Sequence, residues 1–581
     1  MKLSATYIKG SFILLLILAT IVSNAQPLPV PNYPKGYFQW PLDIQPALVA
    51  NFGELRPNHY HMGLDCRTDQ KQNLLVHAAA EGYIAKVRID PIGFGRCIYV
   101  NHPNGLTTLY AHLNDFNPEL ERYVTDQQYK QKKWAIALDI PADSFPVKKG
   151  QFIAYSGTTG SSEGPHVHFE IRDTKTDKVL NPLLFGFPIT DDIAPDVSRL
   201  AVYDRNISVY EQSPKLYPLK KTDGIYTTKP PLLISSSDKV SFAITAFDRY
   251  TGSTSRNGIF EAILYDNDIP VVGFQIDSIS YDETRDFNGH IDYRLRTDGG
   301  PFVQHVSKLP GYPNSIYKII NGDGVLHIND DSIHKIKIEV KDTYGNTSLV
   351  QFDIKHVADI SGKTSSLYMA PAGQRLFSPG VVNVFENSTI SFYLPANCLY
   401  DSIHFRYNET VQSPGHIIYQ LHSPDVPMHG YFPIKIKAGI PADLRNKVVM
   451  ECFWNTKADF AKADPLTSWN ELGWFKASFR EFGNFQLLID TLPPNIIPVG
   501  FKDGMNAAKL KRLAFVVGDN TKEVKNFSAT LDGNWIRFTN DKGRTFIYIF
   551  DDHCPPGEHE LKISAEDMVG NRAEKVYHFT R

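Results

Sequence analysis

Gly164-Pro165-His166-Val167-His168-Phe169-Glu170-Ile171-Arg172 decides how the chain is read. Apolar Val167, Phe169 and Ile171 alternate with polar residues, the period of a β-strand with one apolar face. Side chains at i and i+2 share a strand face. His166 and His168 therefore project together, and Glu170 follows on the same side. Two adjacent imidazoles suit a metal, or a metal and a base. Taken alone, the pair is equally consistent with two surface histidines on an edge strand, so the residues upstream carry weight.

The nearest informative stretch is Asn51-Phe52-Gly53-Glu54-Leu55-Arg56-Pro57-Asn58-His59-Tyr60-His61-Met62-Gly63-Leu64-Asp65. His61 and Asp65 form an H-x-x-x-D pair, one neutral imidazole and one carboxylate, both good zinc ligands. Gly63 between them permits a bend that turns both side chains to one ion. Gly63 and the preceding Pro57-Asn58 argue against a helix here. His59 is a competing ligand, and Arg56 a candidate for recognising a substrate carboxylate. Cys66 faces away from Asp65 in a strand and reads as packing.

Short strands follow. Tyr83 to Ile89 alternates, and Cys97 to His102 and Leu106 to Leu113 flank Pro103-Asn104-Gly105, a hairpin signal because Asn-Gly supplies positive φ angles. His112 lies near the end of the second hairpin strand. His77 and His102 read as packing or turn residues. Ser156-Gly157-Thr158-Thr159-Gly160 lacks the lysine of a phosphate-binding loop and precedes a strand rather than a helix.

In order, H-x-x-x-D, Tyr110-Ala111-His112-Leu113, and Ser156-Gly157 leading to Gly164-Pro165-His166-Val167-His168-Phe169-Glu170 resemble the lysostaphin/LytM-type zinc metallopeptidases. The resemblance covers roughly residues 45–175, under a third of the chain. It implies Zn2+ as cofactor, with His61, Asp65 and His168 as ligands and His112 and His166 as catalytic histidines. It also implies peptidoglycan as substrate, cleaved at a peptide bond. Three protein ligands leave a fourth position for water or a substrate oxygen, and zinc brings bound water to a pKa of about 7. Glu170 reads either as a partner orienting a histidine or as a strand-end charge. One departure from the family pattern is the longer segment from Asn114 to Lys149, which reads as a surface insertion, a lid or a groove wall.

The rest of the chain sets the context. A length of 581 residues requires several domains, and a formal charge of −3 argues against nucleic-acid binding. Residues 1–25 read as a secretory signal peptide: Lys2 and Lys9, an apolar run through Leu14-Leu15-Leu16, then Ser23-Asn24-Ala25. No later run has membrane length. The expected location is the cell envelope or beyond it. Frequent turn residues and scarce helical periodicity predict a mainly β chain: a metallopeptidase domain at 26–186, a sandwich region of one or two modules at 187–357, a β-rich domain at 358–490, and an immunoglobulin-like module at 491–581. Phe242 to Asp248, Ile336 to Asp342 and Leu561 to Asp567 are alternating strands closing on aspartate. The last two continue as D-x-x-G-N turns, which resemble bacterial immunoglobulin-like modules. The acidic residues of this tail read as solvated faces, and the modules as positioning devices or as binders of an envelope protein partner. Cys398 and Cys452 are candidates to pair, and Trp454 to Trp474 for a short helix. Two further readings stay open: a non-catalytic envelope scaffold or activator of another hydrolase, and a zinc peptidase acting on proteins.

Overall fold

The computed structural model describes residues 28–581 apart from 314–315, 359–374, 414 and 544, and excludes the side chain at 469. The expected signal peptide and the first residues of the expected third domain lie outside the described residues. The chain is mainly β, built of antiparallel sheets with few helices.

The first sheet contains strands β1 (Leu48–Ala50), β2 (Leu64–Arg67), β3 (Gly82–Ile89), β4 (Arg96–Asn101), β5 (Leu106–Phe116) and β6 (His166–Asp173). Their spatial order is β1-β2-β6-β5-β4-β3. The H-x-H strand β6 is therefore central. Its Val167, Phe169 and Ile171 are fully buried in one core cluster with Leu64, Cys66 and Tyr110. Burying side chains of this size is worth ~1.5–3 kcal/mol each. The opposite face is covered as well: His168, Glu170 and Arg172 are all buried. The β4–β5 hairpin forms, but only Gly105 of its turn takes positive φ, at 80°. The connection spans His102 to Gly105 rather than a two-residue Asn-Gly turn.

The segment after β5 is not loop. It carries helix α1 (Pro118–Gln131), started by Asn117, whose side chain accepts from Leu120 N–H, and by a proline in the first turn. Leu120, Val124 and Gln128 are its buried face.

Residues 196–356 form one sandwich. One sheet contains Asp196–Asp204 and Lys239–Phe247, and the other Glu261–Asp266, His334–Lys341 and Thr347–His356. Both sheets contribute to one shared core cluster. That core runs on into the next sandwich through Phe392, Tyr400 and Phe485, and back to Phe52, Tyr60 and Met62 of the first domain. The stretch from Trp454 to Trp474 holds strands and a 3-10 turn, Trp469–Glu471, instead of the expected helix. The last module has a separate core around Phe515, Ile563 and Tyr577. All five cysteines are free and buried, so Cys398 and Cys452 do not pair.

Candidate metal centre

Strand register assembles the centre. β6 pairs His168 with Asp65 of β2 on one side and with Ala111 of β5 on the other. The loop before β2 returns His61 over the same face, four residues from Asp65. Three donor atoms result: His61 Nε2 lies 2.9 Å from Asp65 Oδ1, His168 Nδ1 lies 3.0 Å from the same oxygen, and the two ring nitrogens are 3.0 Å apart. A tetrahedral ion with bonds of ~2.0–2.1 Å holds its donors ~3.3 Å apart, close to this triangle.

The surroundings aim these atoms. His61 Nδ1 donates to the carbonyl of Asn51 at 2.7 Å, leaving Nε2 with its lone pair. His168 Nε2 donates to Glu170 Oε1 at 2.9 Å, leaving Nδ1 free to coordinate. Glu170 in turn accepts from Arg172 Nε at 2.7 Å and from the Tyr281 hydroxyl. Asp65 offers Oδ1 to the centre while Oδ2 accepts from Arg56 Nη2 at 2.6 Å. Arg56 is thus committed to Asp65 and Glu54, which accounts for it without a substrate carboxylate. Burial alone would raise the Glu170 pKa, but the Arg172 charge and the His168 and Tyr281 bonds outweigh it and hold it at about 2. Burial likewise opposes charge on His168, yet the bonds to Asp65 and Glu170 lift it to about 9. A donor set with this appetite for positive charge suits a divalent cation, and the residues present fit zinc.

Gly63 has a different role from the expected bend. Its φ is not in the left-handed range; instead a Cβ there would lie 2.5 Å from the Phe169 carbonyl oxygen and 2.8 Å from His168 Nε2. Only glycine lets the loop pass this close.

His112 reaches the centre by a backbone irregularity. Strict alternation from Ala111 would send it to the opposite face. Its φ is +60°, and the β4–β5 register shifts between the Arg96–Leu113 and Ile98–Tyr110 pairs. This bulge turns the ring back, 4.8 Å from His166 and 6.0 Å from His168 between centroids. His112 Nδ1 donates to Thr159 O at 2.9 Å and His166 Nδ1 to Gly164 O at 2.9 Å, so both present Nε2 lone pairs. Burial, then the neighbouring imidazoles, pushes His112 down to about 3, which keeps it neutral at pH 7. All five expected residues therefore line one cleft of about 700 Å3. His59 also lines it but stays out of the donor triangle, with Nδ1 on the Pro57 carbonyl. His77 is held by Asp43 and Gly150, and His102 by Glu81 and Thr108.

Two contributors come from outside the first domain. Tyr281 of the second module lines the cleft, as does Phe94. The last module reaches the loop before β6: Asp541 accepts from Gly160 N–H at 2.8 Å, and Lys542 Nζ donates to Ser162 O at 2.6 Å. Helix α1 is the dock for that module. Tyr129 stacks on His553 with centroids 4.1 Å apart, and Arg537 donates to Thr125 and Gln128. The Asn114–Lys149 insertion is thus a docking element, and none of its residues lines the cleft.

Residues 59–129 and 143–182 match the model of peptidase family M23. The first domain is M23-like. Residues 374–490 match the Zu5-like domain. A protein described as an uncharacterized metalloprotease of Haemophilus influenzae is 28% identical over 165 residues, 27% of this chain and 28% of that protein. The DD-carboxypeptidase/endopeptidase Mpg of Neisseria meningitidis is 29% identical over 142 residues, 24% of this chain and 26% of its own length. The catalytic domain of lysostaphin from Staphylococcus simulans aligns at 22% identity, covering 23% of this chain and 87% of that one, with a TM-score of 0.18. This chain spans under a third of the length of the two curated relatives.

Proposed function

We propose that the protein is a zinc endopeptidase of the cell envelope that hydrolyses peptide bonds in peptidoglycan. One observation carries the reading: His61 Nε2, Asp65 Oδ1 and His168 Nδ1 converge within 3.0 Å of one another in a cleft that also holds the imidazoles of His112 and His166. His61, Asp65 and His168 would hold the ion. Zinc bound there would supply an acidified water and a Lewis acid for the scissile carbonyl.

The chain's own groups do the rest. Asn51 and Glu170 fix the two ligand imidazoles, and Arg56 fixes the carboxylate. His112 Nε2, neutral at pH 7, accepts a proton from the attacking water, and the imidazolium so formed donates to the negative charge that grows on the carbonyl oxygen. His166 Nε2, beside it, is the second acceptor for that proton, and whichever imidazole has taken it returns it to the leaving amine. Thr159 and Gly164 keep both rings in the tautomer that exposes Nε2. The cleft is bordered by Arg56, Gln70, Glu163 and Tyr281 as well as apolar Val49 and Met62, a lining suited to a mixed peptide chain. The substrate class is supported by the M23 match and by the named activity of the Neisseria relative. An envelope location is supported by the first 25 residues of the sequence. Among the described residues no helix is long and apolar enough to cross a membrane.

The test is digestion of purified peptidoglycan, with products identified by mass spectrometry. Cleaved peptide cross-links that vanish with a chelator and return with zinc are the expected result. Intact peptidoglycan with zinc-dependent cleavage of casein would replace the substrate assignment, and no cleavage of either would replace the enzyme assignment with a scaffold.

A further inference from the structure

Two clusters of carboxylates lie outside the first domain's donor triangle, and they are built alike. In the second module Asp191, Asp248 and Asp342 bring one oxygen each within 4.8 Å of the others; in the last module Asp490, Asp519 and Asp567 do the same. Asp191 and Asp490 sit in the linkers that enter the two modules. Asp248 follows strand Lys239–Phe247, and Asp519 follows Arg512–Gly518. Asp342 and Asp567 open the D-x-x-G-N turns. The turn asparagines repeat the same bonds: Asn346 Nδ2 donates to Asp342 Oδ2 at 2.7 Å and to the Asp191 carbonyl at 3.2 Å. Asn571 Nδ2 donates to Asp567 Oδ2 at 2.7 Å and to the Asp490 carbonyl at 3.0 Å. The tail carboxylates expected to form solvated faces are thus gathered at two junctions.

Gathering carboxylates this way costs free energy unless something positive joins them. Among the described residues no lysine, arginine or histidine forms an ion pair with any of the six. Asp248 is 1% exposed, and neither of its oxygens has a hydrogen-bond partner. Asp191 Oδ2, beside it, also lacks one. In the last module Asp490 is 3% exposed with Oδ2 unpartnered, and Asp519 Oδ1 is unpartnered too. The other oxygens accept from neutral donors, which orient the carboxylates without neutralising them: Tyr344 and Asn346 N–H on Asp342, Val569 and Asn571 N–H on Asp567, Asn520 Nδ2 on Asp490, and Thr521 N–H and hydroxyl on Asp519. At the first junction Asn257 pairs with Asp248 through two backbone bonds, and its own Oδ1 is a further buried oxygen without a partner. Burial, then Asp342 and Asp191, pushes the Asp248 carboxyl up to about 8.

We propose that each junction binds one hard divalent cation, Ca2+ by size. Every donor at the two clusters is oxygen, which disfavours zinc and the thiolate- or imidazole-seeking metals. The donors lie within 4.8 Å of one another, a spacing that an ion with oxygen bonds of ~2.3–2.6 Å spans, and Ca2+ accepts an irregular set of oxygens where Mg2+ demands a near-ideal octahedron. The cation would tie a linker to two strand ends, setting the angle at which the module leaves its neighbour. At the first junction this reaches the catalytic cleft. Gly258, next to Asn257, exchanges two 2.9 Å bonds with the Asn51 side chain, and the Asn51 carbonyl holds His61.

The experiment uses the full chain, stripped of metal on a chelating resin and refilled with one equivalent of zinc. Equilibrium dialysis against CaCl2, with bound calcium measured by metal analysis, should give two Ca2+ per chain, and Ca2+ should raise the thermal midpoint. Asp248→Asn and Asp519→Asn should each bind one Ca2+, and the double variant none. In calcium-free buffer Asp248→Asn should melt higher than wild type, because it removes a repelled charge; a merely damaging substitution would melt lower. Wild-type protein that binds no calcium at millimolar concentration, or that binds it undiminished in both variants, overturns the proposal. Loss of one site only overturns it for the other junction.

Discussion

Asp65 and Asp248 are both nearly inaccessible carboxylates, 3% and 1% exposed, yet they keep opposite company. Asp65 is ringed by Arg56, His61, His166 and His168. Burial works to raise its pKa, but these partners win, and it stays well below the usual carboxylate range. Asp248 faces the acids Asp342, Asp191 and Asp196, and its pKa goes the other way. The difference separates the two proposed kinds of metal site by their donor chemistry. Nitrogen donors with an organised set of carboxylates behind them suit a small, borderline-soft ion kept for chemistry. Clustered oxygens at a linker suit a large, hard ion kept for architecture.

The sharpest break between the two kinds of site comes from removing a ligand. His168→Ala should lose zinc and all measurable peptidoglycan cleavage while both Ca2+ sites stay filled; metal analysis and product release on one preparation decide it. His112→Ala should retain zinc and lose turnover by about 10²–10⁴-fold, the usual worth of a positioned acid or base. Equal zinc loss in both variants would merge the two roles. Next in size is Tyr281→Phe, which removes the hydroxyl on Glu170 from a neighbouring module. Losing such a supporting bond should weaken zinc about 10-fold, read by competition with a chromogenic chelator, and an unchanged affinity would confine the centre to the first domain.

A pH series sharpens the contrast at smaller amplitude. The Asp248 pKa is raised in the folded state, so the folded chain holds a proton there that the unfolded chain has released. Between about pH 4 and 8 calcium-free protein should therefore lose stability as pH rises. The groups facing it, Asp191, Asp342 and Asp196, add negative charge, and Arg249 is engaged with Asp196. Calcium should cancel this slope, as should Asp248→Asn; thermal midpoints in chelator and in Ca2+ measure it. The smallest effect is expected at Asp541→Ala, which frees the Gly160 N–H of the loop that holds His112. A fall in turnover of a few fold with unchanged zinc content would show the last module tuning the cleft.

Much of the catalytic arrangement is readable from local spacing, because a strand places His166 and His168 together whatever surrounds them. Asp65 and His61 are close in sequence, and the register of β2 with β6 is the single long-range fact they require. His112 is harder. Period-two reasoning sends its ring to the wrong face, and only the bulge with φ of +60° restores it. Tyr281 carries no local signal at all, since it meets Glu170 across 111 residues. The acidic junctions fall between these cases. Strands closing on Asp248, Asp342 and Asp567 stand out in the sequence, but a single strand end cannot reveal that Asp191 or Asp490 folds back onto it. Sandwich topology supplies that convergence, and so turns what look like solvated charges into buried ones.

The most direct test of the account follows zinc and cleavage together in wild-type protein as the metal is withdrawn and returned. One zinc per chain, with release of cross-link peptides falling to background on chelation and recovering in proportion to zinc restored, is the predicted result. Full cleavage by zinc-free protein, or one firmly bound zinc in His168→Ala, would contradict it.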